Sequence, residues 1–138
     1  MVTNWQSRTQ LLIGEEALVR LSSVHVLVVG LGGVGAYVAE MLCRSGVGEL
    51  TLVDGDVFTE TNLNRQLPAL RTTLGKHKTE VLAERLLSIN PNVKLHLHSV
   101  FLRDELTTEL LQKCRYDFVV DAIDTLSPKV FLLYHALQ

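Results

Sequence analysis

Apolar and polar positions along this 138-residue chain switch repeatedly between two periods, and the switching predicts the elements. Val24 to Gly30, VHVLVVG, is an unbroken run rich in β-branched residues and of strand length, the pattern of a strand buried on both faces. From Gly33 to Ser45 the apolar residues Val34, Val38, Met41 and Leu42 recur at helical spacing, and Gly46 closes that segment. Glu49 to Asp54, ELTLVD, predicts a second strand. The polar stretch from Gly55 to Thr73 is long enough to be a functional loop rather than a connector. A helix is predicted from Gly75 to Ile89, with Pro91 just past its end, and VKLHLHSV (Val93 to Val100) alternates as a third strand. Asp104 to Cys114 predicts a helix and Tyr116 to Asp124, YDFVVDAID, a fourth strand. A last helix carries Pro128 in its first turn, with Asp124, Thr125 or Ser127 available as its N-cap. Ahead of all this, Trp5 to Ile13 and Glu15 to Leu21 are predicted as two short helices broken by Gly14.

Strand and helix in this repeated order predict an α/β fold: a doubly wound, Rossmann-like, mostly parallel sheet with helices on both faces. Residues 1–23 would form an N-terminal helical segment and residues 24–138 the nucleotide-binding domain. The final helix is followed by no strand, so the chain is expected to be the front portion of a longer protein, truncated at its C-terminus.

Composition changes this picture little. It is 47% hydrophobic and 20% charged, which excludes disorder, and its net charge of −2 gives no global pull toward nucleic acid or an anionic membrane. Two cysteines, Cys43 and Cys114, are too few for a disulfide framework or a zinc site and are expected to be inert reduced thiols. The start, MVTNWQSRTQ, carries no export pattern, and the longest apolar stretch is interrupted by His25 and four glycines. A cytoplasmic protein without a membrane span is expected.

Candidate chemistry begins with GLGGVG. Gly30, Gly32 and Gly35 form G-x-G-x-x-G directly after a strand and at the opening of a helix, the context in which this motif cradles phosphate. Gly33 adds one more position without a Cβ. Asp54 ends the second strand close to the interval of about 20 residues at which an acid meets ribose hydroxyls. Neither feature separates a dinucleotide cofactor from ATP. The loop beyond does bear on that choice: Arg65, Arg71, Lys76 and Lys78 stand among Asn62, Asn64 and Gln66. Several cations suit a triphosphate better than a nicotinamide, although a solvated basic surface would also account for Arg71 and Lys76.

The ordered motifs GLGGVG, LTLVDGD, TNLNRQ, GKHK and DAID resemble the adenylating domain of the ubiquitin-activating-like family, which includes bacterial molybdopterin- and thiamine-pathway adenylyltransferases. NWQSR, GEEAL, NRQLPALRTTLGKHKTEV, LLSINP and DAIDTLSPK are similar in particular to the tRNA threonylcarbamoyladenosine dehydratases. The resemblance implies ATP and Mg²⁺ as cofactors. Gly30, Gly32, Gly33 and Gly35 would form the phosphate loop, and Asp54 would hold the ribose with Asp56 nearby. Asn62, Asn64, Arg65 and Gln66 would belong to the loop over the triphosphate. Arg65 and Lys78 would neutralise charge as the α-phosphate is attacked, and Asp124 would bind Mg²⁺. Arg8 would be the arginine that one subunit of a homodimer inserts into its partner's site. The implied substrate is the carboxylate of the threonylcarbamoyl group on a tRNA adenosine. The alternative is the C-terminal glycine of a ubiquitin-like sulfur-carrier protein, and an NAD-dependent oxidoreductase is a third reading. His96 and His98 share a strand face at a spacing that could bind metal, but with no third ligand nearby they are expected to be a surface or packed pair.

Overall fold

A computed structural model describes residues 4–124 and 126–138, so Thr125 and its capping role lie outside the described residues. Four strands, β1 (His25–Val29), β2 (Glu49–Val53), β3 (Lys94–His98) and β4 (Phe118–Asp121), form one parallel sheet in the order β3-β2-β1-β4. Six helices accompany them: α1 (Ser7–Ile13), α2 (Glu15–Ser22), α3 (Gly35–Ser45), α4 (Lys78–Ile89), α5 (Asp104–Lys113) and α6 (Leu126–Ala136).

Burial follows strand position. β1, paired on both sides, is buried at all five residues, which is why its sequence is a continuous apolar run. β3 has a strand neighbour only at β2, and its KLHLH sequence is largely exposed. Two cores flank the sheet. Val26, Val28, Leu50 and Leu52 pack with Ala36, Ala39 and Cys43 of α3 and with Leu82 and Leu86 of α4. On the opposite face Leu27, Val29 and Val53 pack with Leu110 of α5 and Leu132 of α6. The sheet is therefore doubly wound.

The chain runs β1, β2, β3 in one direction and then returns to place β4 on the far side of β1. The carboxyl ends of β1 and β4 thus form a topological switch point, where crossover loops leave in opposite directions and open a crevice. α3 ends at Gly46, whose left-handed φ of 108° allows its N–H and that of Val47 to reach Cys43 and Leu42 carbonyls. Glu40 of α3, 3% exposed, is tied to Arg85 of α4 and to Arg44, so the two helices are joined by charge as well as by packing.

Two predicted boundaries are corrected. Helix α4 starts at Lys78 rather than Gly75. Residues 56–58 pair with residues 75–78 through Gly75 N–H to the Phe58 carbonyl, Phe58 N–H to that of Lys76, and Lys78 N–H to that of Asp56. Gly75 has φ 83°, which no helix accepts. Strand β4 spans Phe118–Asp121 and stops three residues short of Asp124, because β1, its partner, ends at Val29.

Candidate functional site

A cleft of about 350 Å³ opens at the switch point. Its floor is made by Val29, Gly30 and Gly32 after β1, and by Val53, Asp54, Gly55 and Asp56 after β2. Gln66 and Lys78 enter from the long loop and the start of α4. Val100 to Arg103 and Ala122 to Asp124 form the remaining walls.

The glycines have separate physical reasons. Gly30 has φ 93°, and a Cβ there would stand 2.6 Å from the Ala122 carbonyl oxygen, so only glycine lets β1 and β4 part this closely. At Gly35 a Cβ would sit 1.6 Å from the Gly30 carbonyl oxygen, so α3 can begin directly against the strand end only without one. A Cβ at Gly32 or Gly33 would meet only side chains, Gln66 at 3.5 Å and Arg65 at 3.6 Å. Those two positions leave the backbone open to an incoming group. Among the described residues the N–H groups of Gly32, Gly33, Val34 and Gly35 donate no backbone hydrogen bond, leaving four donors and a positive helix end at one rim of the cleft.

Asp54 holds this loop in place. Its Oδ2 accepts from the Leu31 N–H at 2.7 Å and its Oδ1 from the Asp56 N–H at 2.8 Å, joining the β1 and β2 loops across 23 residues of sequence. Lys78, 5% exposed, is delivered to the cleft by the pairing of residues 56–58 with 75–78. Its Nζ lies 5.6 Å from the Phe58 ring centre, and no carboxylate pairs with it among the described residues. Gln66 is equally buried, and its Oε1 has no hydrogen-bond partner. A buried cation and an orphaned acceptor lining one cleft are each costly unless something polar enters it.

The other expected site residues are distributed as follows. Asp56 and Asp124 line the cleft with exposed side chains, whereas Asp121 is engaged by Lys129 Nζ at 2.6 Å and by the Ile123 N–H. Arg65 is exposed beside Gly33, with Nη1 donating to Asn64 Oδ1 at 2.9 Å and to the Thr61 carbonyl. Asn64 thus orients Arg65 at the rim instead of lining the cleft. Asn62 caps a short 3₁₀ turn: its Oδ1 accepts from the Thr59 N–H and hydroxyl. Arg71 is paired with Glu60 in the open. Arg8 is exposed on α1, and Trp5 and Gln6 just before it line a hollow with Glu49 and Lys94 at the amino ends of β2 and β3, away from the cleft. No residue of α1 lines the cleft of its own chain.

Sequence reasoning missed one wall. Val100, Phe101, Leu102 and Arg103 follow β3, and Phe101 lies flat against Gly55, where a Cβ would be 2.5 Å from its ring. The signal available was position, since loops at strand carboxyl ends line the crevice of an open sheet. Cys43 is buried, with burial pushing its thiol up to about 11, and Cys114 is exposed; neither lines the cleft.

Comparison with known proteins gives a consistent picture. A model described as "ThiF family" matches residues 6–138. A tRNA threonylcarbamoyladenosine dehydratase of Haemophilus influenzae is 47% identical over 118 residues, covering 86% of this chain and 45% of that protein. The Escherichia coli tRNA N6-threonylcarbamoyladenosine dehydratase, solved in complex with ATP, superimposes with a TM-score of 0.92 at 38% identity, covering 99% of this chain and 58% of that one. A sulfur carrier protein adenylyltransferase of Thermus thermophilus is 38% identical over 112 residues, covering 81% of this chain and 41% of that protein. The chain spans about half the length of the curated relatives it matches. No helix among the described residues is long and apolar enough to cross a membrane.

Proposed function

The chain belongs to the ThiF family, and from that premise we propose that its cleft binds ATP and activates a substrate carboxylate by adenylation. The observation that carries this reading is one cleft lined by buried Lys78, which has no salt bridge among the described residues, and by the orphaned Gln66, with four N–H groups that donate no backbone hydrogen bond at the start of α3. That arrangement presents positive charge and donors from two sides of one crevice, which suits a polyphosphate. The E. coli relative solved with ATP supports the same ligand.

In the proposed reaction the carboxylate attacks the α-phosphorus, the bond to the bridging oxygen breaks, and pyrophosphate leaves with its electron pair. An acyl-adenylate remains. Gly32 and Gly33 would let the phosphates approach the backbone, and Asp54, already bracing the loop, would accept from the ribose with its remaining lone pairs. Lys78 and Arg65 would stabilise the charge that builds on the phosphates, a term worth roughly 10²–10³ in rate per donor. Asp124 fits a Mg²⁺ ligand: its carboxylate is exposed in the cleft, and magnesium commonly takes one or two protein carboxylates plus substrate phosphates. Bound there, the ion would neutralise phosphate charge.

The proposed substrate is the threonylcarbamoyl carboxylate on a tRNA adenosine, on the strength of the dehydratase relatives. The activated acyl group is captured within the same nucleoside, releasing AMP, so that the net change is cyclisation with loss of water. No protein nucleophile is needed, and neither cysteine lines the cleft. Arg8 would act across a homodimer, and a cytoplasmic location follows from a tRNA substrate. The test is ATP–pyrophosphate exchange with the purified protein, offered either threonylcarbamoyl-modified tRNA or a sulfur carrier ending in glycine. Exchange stimulated by the tRNA is the expected result. Stimulation by the carrier alone would replace the substrate, and binding of NAD in place of ATP would overturn the adenylation reading.

A further inference from the structure

Away from the cleft, three metal-type donors converge on the sheet face that carries Leu27, Val29 and Val53. His25 opens β1, Glu49 opens β2 directly opposite it, and His96 of β3 is paired with Thr51, two residues beyond Glu49 on the same face. His25 is buried, Glu49 half-buried and His96 exposed, and one donor atom from each lies within 4.8 Å of the other two.

The hydrogen bonds around the cluster orient it. His25 Nε2 lies 2.7 Å from Thr51 Oγ1, and Tyr116, packed against the His25 ring, donates its own hydrogen to the Leu110 carbonyl. His25 Nδ1 lies 3.8 Å from Glu49 Oε2. His96 Nε2 stands 2.7 Å from the same carboxylate oxygen. Ligand-type atoms from three adjacent strands thus meet around one carboxylate oxygen.

We propose that His25, Glu49 and His96 form a binding site for a divalent transition cation of the zinc class, completed by water on the exposed side. Donors about 2.0–2.1 Å from a tetrahedral zinc stand roughly 3.3 Å apart. The distances from His96 and His25 to Glu49 Oε2, 2.7 and 3.8 Å, lie on either side of that value, and the three donor atoms lie within 4.8 Å of one another. His96 would then carry its hydrogen on Nδ1. Imidazole and carboxylate suit zinc better than calcium or magnesium, and the Thr51 contact is the kind of outer partner that fixes a ligating histidine. The ion would clamp three strands, at the first residues of β1 and β2 and the middle of β3, on the far side of the sheet from α3 and α4.

The test is calorimetric titration of the untagged, chelator-treated protein with Zn²⁺ alone, with circular dichroism confirming that each variant is folded. The wild type is expected to take up one ion with a Kd below about 10 μM. Affinity should fall at least roughly tenfold in His96→Ala and in Glu49→Gln. His98→Ala and Cys114→Ser should bind as the wild type does. Zn²⁺ should also raise the melting temperature of the wild type but not that of His96→Ala. Binding weaker than about 10 μM, binding that survives His96→Ala, or binding lost in Cys114→Ser would overturn the site.

Discussion

Lys78 and Glu40 are buried to nearly the same degree, 5% and 3% exposed, yet the protein treats them in opposite ways. Glu40 lies between α3 and α4 and is saturated: Arg85 and Arg44 both reach its carboxylate. Burial works to raise the Glu40 carboxyl, but the two guanidiniums outweigh it and hold the group below its usual range. Lys78 faces an aromatic ring and a cleft and forms no salt bridge among the described residues. A buried charge that is fully paired serves the fold, and removing its partner should cost stability. One left unpaired at the mouth of a crevice costs stability already, and should be recovered only when an anion arrives. The α3–α4 seam is finished chemistry, whereas the switch-point cleft is incomplete.

The largest effect that would break this contrast is at Lys78. Lys78→Met, which keeps the aliphatic stem, should lower ATP–pyrophosphate exchange by about 10²–10³. Thermal unfolding of the same variant should show a melting temperature equal to or above that of the wild type. Arg85→Ala should behave in reverse. Urea unfolding is expected to show a loss of about 2 kcal/mol, limited because Arg44 remains, with nucleotide affinity unchanged.

Acid sharpens the contrast further. The Glu40 carboxyl titrates lower in the folded chain than the 4.5 expected for a free carboxyl. Its contribution to stability is therefore fully present above that value and is lost as pH falls through the lower folded one. Urea midpoints followed downward from pH 6 should decline more steeply in the wild type than in Arg85→Ala, whose Glu40 has less to lose. The smallest expected effect is at Gln66. Gln66→Leu removes an unpaired buried acceptor and should leave stability unchanged or raise it by up to about 1 kcal/mol, while weakening ATP binding in calorimetry.

Much of this was legible in the sequence because it depends on local pattern. The buried run of β1, the helical spacing of α3 and the glycine motif between them each follow from a few adjacent residues, and together they place the cleft. What the sequence concealed is long-range pairing. Asp54 reads as a ribose ligand by its position, and nothing local reveals that both its oxygens brace backbone N–H groups. The false start of α4 at Gly75 has the same origin, since the pairing of Phe58 with Gly75 and Lys76 decides where that helix begins. Asp124 is the Mg²⁺ ligand that the family motif implies, but nothing local shows what becomes of Asp121 three residues earlier. Lys129, eight residues beyond Asp121, engages it and leaves Asp124 at the cleft. His96 looked to His98 for a partner along its own strand, while its nearest ligand-type neighbour, Glu49, lies on β2.

The central claim is that Lys78 is a charge held in readiness for polyphosphate. Calorimetric titration of ATP with Mg²⁺ into the wild type and into Lys78→Met tests it most directly. The account predicts binding by the wild type, at least tenfold weaker binding by the variant, and no binding of NAD by either. Equal ATP affinity in the two proteins, or NAD bound in place of ATP, would contradict it.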